Sequence, residues 1–333
     1  NTAGQLGDGT IATSTPTRRH TPTQELTGTV NWLSIAASIT HTTGLKSDGT
    51  LWAWGSNAYG QLGDGTRIDR YTPTQESTLS TNWSVIAAGK LHTVALKSDG
   101  TLWAWGSNGT GQLGDGTSSG KVTATQESTG ATNWSAIATG LTHTVGLKSD
   151  GTLWAWGSNG LGQLGDGTNS TKTSPTQEST NGTNWSAVAA GQYHTIGLRS
   201  DGTLWAWGNN YFGQLGNGTN VSKISPTQES TGATNWSAIA ASGNHTVALR
   251  ADGTIWAWGD NEHGQLGTAQ ALHSAPMQTG TGTDWTATFV FAPEDLKRAV
   301  AFTIDSISDK ARNVGSSVSL TTDGSSVTLA DVP

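Results

Sequence analysis

Ser98-Asp99-Gly100-Thr101-Leu102-Trp103-Ala104-Trp105-Gly106-Ser107-Asn108 returns almost letter for letter along the chain, its first tryptophan falling at Trp52, Trp103, Trp154, Trp205 and Trp256. Each step is 51 residues. A fixed period of that length with an aromatic signature is the sequence form of a propeller or solenoid. Working outward, His92, Val94 and Leu96 alternate with Thr93 and Ala95, and Trp103 and Trp105 alternate with Leu102 and Ala104. Alternation of period two makes pleated strands. Asp99-Gly100 between them is the chemistry of a tight turn, because the pair tolerates positive φ. A third strand is expected near Ala124–Glu127 and a fourth over Trp134–Thr139. Four short strands per repeat amount to one propeller blade, so the fold class is all-β. A Trp-rich row is expected to pack against the sheet of the next blade.

Residues 1–37 hold the back half of one unit: Gly4–Thr10, then Pro22–Glu25, then Asn31-Trp32. Five units follow, starting at His41, His92, His143, His194 and His245. The Gly-Gln-Leu-Gly element occurs six times, at Gln5, Gln61, Gln112, Gln163, Gln214 and Gln265, so about six blades are represented. Residues 1–288 read as the propeller domain. Residues 289–333 lack Trp and alternate apolar with polar residues, which suggests a short C-terminal β segment.

The chain has 333 residues, only 33 % of them apolar, yet 16 are Trp, and each large aromatic buries roughly 150–250 Å2. All of them lie between Trp32 and Trp285, so the core belongs to the repeats. A net charge of -7 with no run of Lys or Arg argues against a nucleic-acid binder, which needs a clustered basic face. There is no cysteine, hence neither a disulfide nor a thiolate metal site. No apolar run is long enough to span a bilayer as a helix, so membrane insertion is not expected.

With HTVALKSDGTLWAWGSN over 92–108 and GQLGDGT over 111–117 in hand, the chain resembles the regulator-of-chromosome-condensation repeat family. The resemblance covers residues 1 to about 288 and implies a β-propeller, usually of seven blades. The chain departs from that pattern by carrying six Gly-Gln-Leu-Gly halves but five hairpin halves. The tail over 302–329 resembles the end of a bacterial immunoglobulin-like surface module. Together with Thr/Ser/Asn/Gly-rich loops, this suggests a large bacterial protein at the cell surface or secreted.

Residues repeated in every unit, such as His92, Asp99, Gly100, Trp103, Trp105, Gln112 and Trp134, solve the same packing problem each time and are read as scaffold. The five strand histidines are expected to bond neighbouring backbone, since equivalent residues in a propeller are too dispersed to share a ligand. A catalytic carboxylate pair needs two different environments, and identical repeats supply one. No Gly-x-Ser-x-Gly elbow and no Gly-Lys-Ser/Thr phosphate loop is present. No cofactor and no resident metal is expected. The Gly-Asp-Gly-Thr loops carry acidic and carbonyl oxygens, so weak calcium binding is conceivable, although the alternating ligands of a known calcium loop are missing.

Function is therefore sought where copies differ. Those positions hold Tyr59, Arg67, Tyr71, Lys90, Tyr193, Tyr211, Phe212, Glu262 and His263, and all four tyrosines are among them. Loop aromatics are favoured recognition residues. The expected function is a non-catalytic scaffold that binds a protein or glycan through these loops. Two alternatives remain: guanine-nucleotide exchange on a small GTPase, which the resemblance implies, and a purely structural spacer in a surface fibre.

Overall fold

A computed structural model describes residues 1–10, 19, 21–267 and 272–278. The expected C-terminal β segment and its immunoglobulin-like character lie outside the described residues. The described residues up to 278 fall within one compact unit and form five antiparallel four-stranded sheets. Blade one contains β1 (Trp32–Ala37), β2 (His41–Lys46), β3 (Leu51–Gly55) and β4 (Arg70–Gln75). Blade two contains β5 (Trp83–Ala88), β6 (His92–Lys97), β7 (Leu102–Gly106) and β8 (Lys121–Gln126). Blade three contains β9 (Trp134–Thr139), β10 (His143–Lys148), β11 (Leu153–Gly157) and β12 (Lys172–Gln177). Blade four contains β13 (Trp185–Ala190), β14 (His194–Arg199), β15 (Leu204–Gly208) and β16 (Lys223–Gln228). Blade five contains β17 (Trp236–Ser242), β18 (His245–Arg250), β19 (Ile255–Asp260) and β20 (Leu272–Gln278). Strands within each blade pair in sequence order, the propeller arrangement expected from the repeat.

The hairpin turn falls where expected, and one strand boundary moves. The hairpin turn is the three-residue Ser98-Asp99-Gly100, in which Gly100 alone carries a positive φ, of 78°. Asp99 closes it by accepting from the Thr101 amide (3.0 Å) and hydroxyl (2.6 Å). The third sequence-predicted strand begins earlier, at Lys121, because an irregularity between Ala104 and Gly106 brings Lys121 opposite Gly106.

The core is built between blades. Val94, Leu96, Leu102, Ala104 and Leu113 of blade two are buried with Trp134 and Trp156 of blade three. Blades three and four repeat this with Val145, Leu147 and Leu153 against Trp185 and Trp207. Each aliphatic sheet face thus packs on a Trp pair of the next blade, the pairs lying 5.7–6.0 Å apart. The two tryptophans of the repeated hairpin divide the labour. Trp105, Trp156, Trp207 and Trp258 are fully buried between blades. Trp103 instead stacks on Lys97, whose Nζ lies 4.4 Å from its ring and 4.9 Å from that of Trp83.

A buried hydrogen-bond relay crosses every interface between described blades. Nε2 of His92 lies 3.1 Å from Thr144 Oγ1 of the next blade, and that hydroxyl lies 2.8 Å from the Gln112 carbonyl. His41, His143 and His194 make the same contact with Thr93, Thr195 and Thr246 at 3.0–3.2 Å. A threonine hydroxyl has one hydrogen and gives it to the carbonyl, so each histidine donates from Nε2, and burial keeps the ring neutral. The Gln112 carbonyl accepts a second bond, from Trp156 Nε1 (3.1 Å). The expected partner of these histidines, neighbouring backbone, is thereby corrected: they bond the neighbour's hydroxyl, and the hydroxyl bonds the backbone. Residues 1–10 play the part of a preceding loop, with the Gln5 carbonyl accepting from Thr42 (2.9 Å) and Trp54 (3.1 Å) of blade one.

Two predictions follow the packing. Gly114 has φ +71° and a Cβ there would sit 2.6 Å from Trp156 Nε1, whereas Gly109 in the same loop has open space around it. Gly114→Ala is expected to cost about 2–4 kcal/mol in urea unfolding and Gly109→Ala less than about 1 kcal/mol. Burial pushes the histidine pKa values down to about 3 at His41, His143 and His194 and about 4 at His92. The unfolded chain takes up protons near pH 6.5 that the native state refuses. Stability is therefore intact above that pH and falls below it, by about 1.4 kcal/mol per pH unit per histidine. Tryptophan-monitored urea unfolding at a series of pH values should show stability falling below pH 6, and His143→Gln should make that fall shallower by about 1.4 kcal/mol per pH unit whatever the variant's stability at pH 7; an unchanged slope would contradict a buried, neutral His143.

Candidate functional site: the loop face of the blades

Strand pairing places the variable loops at one end of every blade. In blade one, Ala37 lies opposite Thr42, His41 opposite Gly55, and Gly55 opposite Arg70. The connections over 38–40 and 56–69 therefore leave the sheet at the same end, the loop face. Asp-Gly hairpins and the links between blades occupy the other. The two kinds of loop are joined: the amides of Ser56, Ser107 and Asn209 donate to the carbonyls of Thr40, Leu91 and Tyr193 at 2.8–2.9 Å.

The long connection is 14 residues in each of the first four blades (56–69, 107–120, 158–171, 209–222), and buried side chains fix its course. The Asn57 side-chain amide donates to Asp64 (3.0 Å) and to the carbonyls of Thr66 (3.2 Å) and Ile68 (3.1 Å), while its oxygen accepts from Leu62 N (3.0 Å). Asn108, Asn159 and Asn210 do the same in their blades. The glutamine of the repeat holds the variable residue itself. Gln61 Oε1 accepts from Tyr59 N (3.0 Å), Gln214 from Phe212 N (2.9 Å) and Gln265 from His263 N (2.9 Å).

All nine candidate recognition residues stand at this end. Tyr59, Arg67, Tyr211, Phe212, Glu262 and His263 are on the long connections, and Lys90 and Tyr193 on the short ones. Tyr71 lies in strand β4 and not in a loop; its carbonyl accepts from Gly9 N (3.0 Å), and its Cα backs Gly4. Tyr211 is 74 % exposed and Tyr59 47 %. Phe212 meets Tyr211 edge to face, with ring centroids 5.1 Å apart. The candidates do not converge on one point: they are distributed over blades one, two, four and five. Where the inner strands of all five blades come together, a recess of about 430 Å3 opens on the same face, lined by residues including Ser38, Lys90, Gly140, Gln192 and Ser242.

The carboxylates are committed to structure. Asp64 pairs with Arg70 (2.6 Å), Asp115 with Lys121 (3.2 Å) and Asp166 with Lys172 (3.2 Å). Burial alone would raise their pKa values; hydrogen bonds from the following threonine and the cation outweigh it and hold them below the usual range. The carboxylate oxygens of these loops are thus already engaged within the protein. Glu76 is buried and accepts from Thr78 N, Ser80 N and Trp83 Nε1 at 2.6–3.1 Å, capping the link into blade two. Among the described residues no group of three or more His, Cys, Asp or Glu is gathered to hold a metal.

Sequence reading missed two features. A cation two residues before each Asp-Gly (Lys46, Lys97, Lys148, Arg199, Arg250) is stacked between two indoles of its own blade, 3.8–4.9 Å from their centroids. Its recurrence in every copy was the available signal. At the same end of the sheets Val221 and Ile224 of blade four and Leu161 of blade three are also exposed, and scattered exposed aliphatic residues are no recognition signal in a sequence by themselves.

Comparison with known proteins agrees with this architecture. The ultraviolet-B receptor UVR8 of Arabidopsis thaliana is 32 % identical over 242 residues, covering 72 % of this chain and 55 % of the receptor. The mitochondrial RCC1 domain-containing protein RUG3 of the same plant is 32 % identical over 248 residues, covering 71 % of this chain and 55 % of that protein. The chain thus spans about half the length of the curated relatives it matches. Among solved structures, human WBSCR16 superposes with a TM-score of 0.67 at 23 % identity, covering 75 % of this chain and 67 % of that one. Yeast RCC1 (Prp20), solved with Kap60, gives 0.66 at 22 % identity, covering 77 % and 65 %. The model of the RCC1-like domain matches residues 1–325, and the chain belongs to that family.

Proposed function

We propose that this propeller is a non-catalytic recognition scaffold that binds a protein or glycan partner through the loop face, as part of a larger protein at a bacterial surface or secreted. The observation that carries the reading is the contrast within each loop. Invariant Asn and Gln side chains pin the loop backbone by hydrogen bonds, while the residues they hold differ from copy to copy, Tyr59 being exposed and Phe212 half-buried. A pre-organised loop loses little conformational entropy on binding, so its exposed aromatics can act as anchors. Protein partners are also named for yeast RCC1, which was solved with Kap60 and studied for binding to Gsp1p and histones.

Exchange on a small GTPase is the second reading, suggested by a relative named as a GTPase regulator homologue in Caenorhabditis elegans. The uniform 14-residue connections of blades one to four carry no insertion that could wedge into a GTPase. The test is a binding screen against glycans and proteins, run on the parent and on a variant with Tyr59, Tyr193, Tyr211 and Phe212 changed to Ser. Saturable binding by the parent, lost in a still-folded variant, is the expected result. Equal binding by both would overturn the loop-face reading, and accelerated nucleotide release from a small GTPase would favour the second.

A further inference from the structure

Blade four brings together two features on the loop face that blades one to three do not combine. The first is apolar. Tyr211 (74 % exposed), Val221 (63 %) and Ile224 (42 %) of blade four stand at positions occupied in blade two by Gly109, Ser119 and Val122, and Leu161 (39 %) of the preceding blade stands where blade two has Thr110. They are joined through the structure. Gly162, next to Leu161, approaches the Ile224 backbone so closely that a Cβ would lie 2.8 Å from its Cα. The Val221 carbonyl accepts from Asn210, which precedes Tyr211. Tyr211 packs edge to face on Phe212.

The second feature is charge. In blades one to three the first cation of the fourth strand is held by the Asp of Gly-Asp-Gly-Thr: Arg70 by Asp64, Lys121 by Asp115, Lys172 by Asp166. In blade four that Asp is Asn217, whose oxygen is taken by Asn210 and Thr219. Lys223 occupies the cation's place opposite Gly208, between Val221 and Ile224 in sequence, and no carboxylate lies within ion-pair distance of it among the described residues. Blade one serves as the contrast, with exposed Tyr59, Ile68 and Tyr71 around an Arg70 already neutralised at 2.6 Å.

An ammonium without an ion-pair partner, on an edge strand with exposed Val221 and Ile224 on either side of it in sequence, offers a charge-assisted contact to a carboxylate from outside. We propose that the blade-four quadrant of the loop face docks a partner peptide segment in which an Asp or Glu is flanked by apolar side chains, the carboxylate meeting Lys223 and the flanks covering Tyr211, Val221 and Ile224. This deepens the scaffold reading and rests on it. Asn217 is the determinant of specificity: an Asp there would satisfy Lys223 internally and remove the demand.

The probe is an array of 12-residue peptides in which Leu, Trp and one central Glu, Gln or Lys are permuted, read by fluorescence anisotropy on the intact chain. Glu peptides should bind at least about tenfold tighter than their Gln and Lys counterparts. Lys223→Glu should reverse that order, and Tyr211→Ser should weaken all binders. Asn217→Asp should weaken the Glu peptides at least fivefold while raising Tm by about 1–3 °C through the restored ion pair, which excludes misfolding as the cause. Indifference of the peptides to charge would overturn the proposal. Binding abolished by Tyr59→Ser or Lys90→Ser but untouched by Lys223→Glu would overturn the quadrant and leave the scaffold reading standing. Binding insensitive to all of these would overturn both.

Discussion

The structure depends on one buried contact made again at each interface: a histidine N–H to a threonine hydroxyl of the next blade, and that hydroxyl to a glutamine carbonyl of the first. Every polar group in it is inside the protein, so each missing member would leave its partner unsatisfied at a cost of about 1–3 kcal/mol. The contact also fixes direction. Histidine reaches forward to the next blade and the threonine there reaches back, so consecutive sheets can stack in one order and at one spacing. Hydrophobic burial between an aliphatic sheet face and a Trp pair supplies most of the adhesion, but it is non-directional. The relay supplies the register.

That division lets the loop face vary. Because the glutamine that gives its backbone carbonyl to the relay also holds the variable residue with its side chain, the recognition position is anchored to the interface between blades. Tyr59, Leu161 and Phe212 therefore present different surfaces from one and the same backbone contact to a glutamine. The same logic explains why the carboxylates serve structure: each has its oxygens filled by threonines, an asparagine and a cation of its own loop. Asn217 is the described exception, and it changes the surface charge of one blade while leaving the asparagine lock of the loop intact.

Much of this was legible in the sequence. The 51-residue period, the two-residue alternation and the Asp-Gly turns gave the blades, because these are local signals repeated five times. The division into invariant scaffold and variable surface also came from comparing copies. Partners in space were not legible. That His92 bonds Thr144, 52 residues away, follows from stacking and not from any local pattern. The cation between two indoles stayed hidden for a similar reason, since Lys97 and Trp83 belong to different strands and meet only through register. The blade-four quadrant was half visible: Tyr211 and Phe212 stand out as aromatics, but Lys223 matters only through the ion pair that blades one to three make and blade four does not.

The most direct test of the account is a double-mutant cycle across one blade interface, combining His143→Ala with Thr195→Ala and measuring unfolding in urea. A relay that couples the blades predicts an interaction energy of about 1–3 kcal/mol, the two losses together being smaller than their sum. Additivity to within about 0.5 kcal/mol would show that the two side chains act independently, and that the stacking order is held by the apolar interface alone.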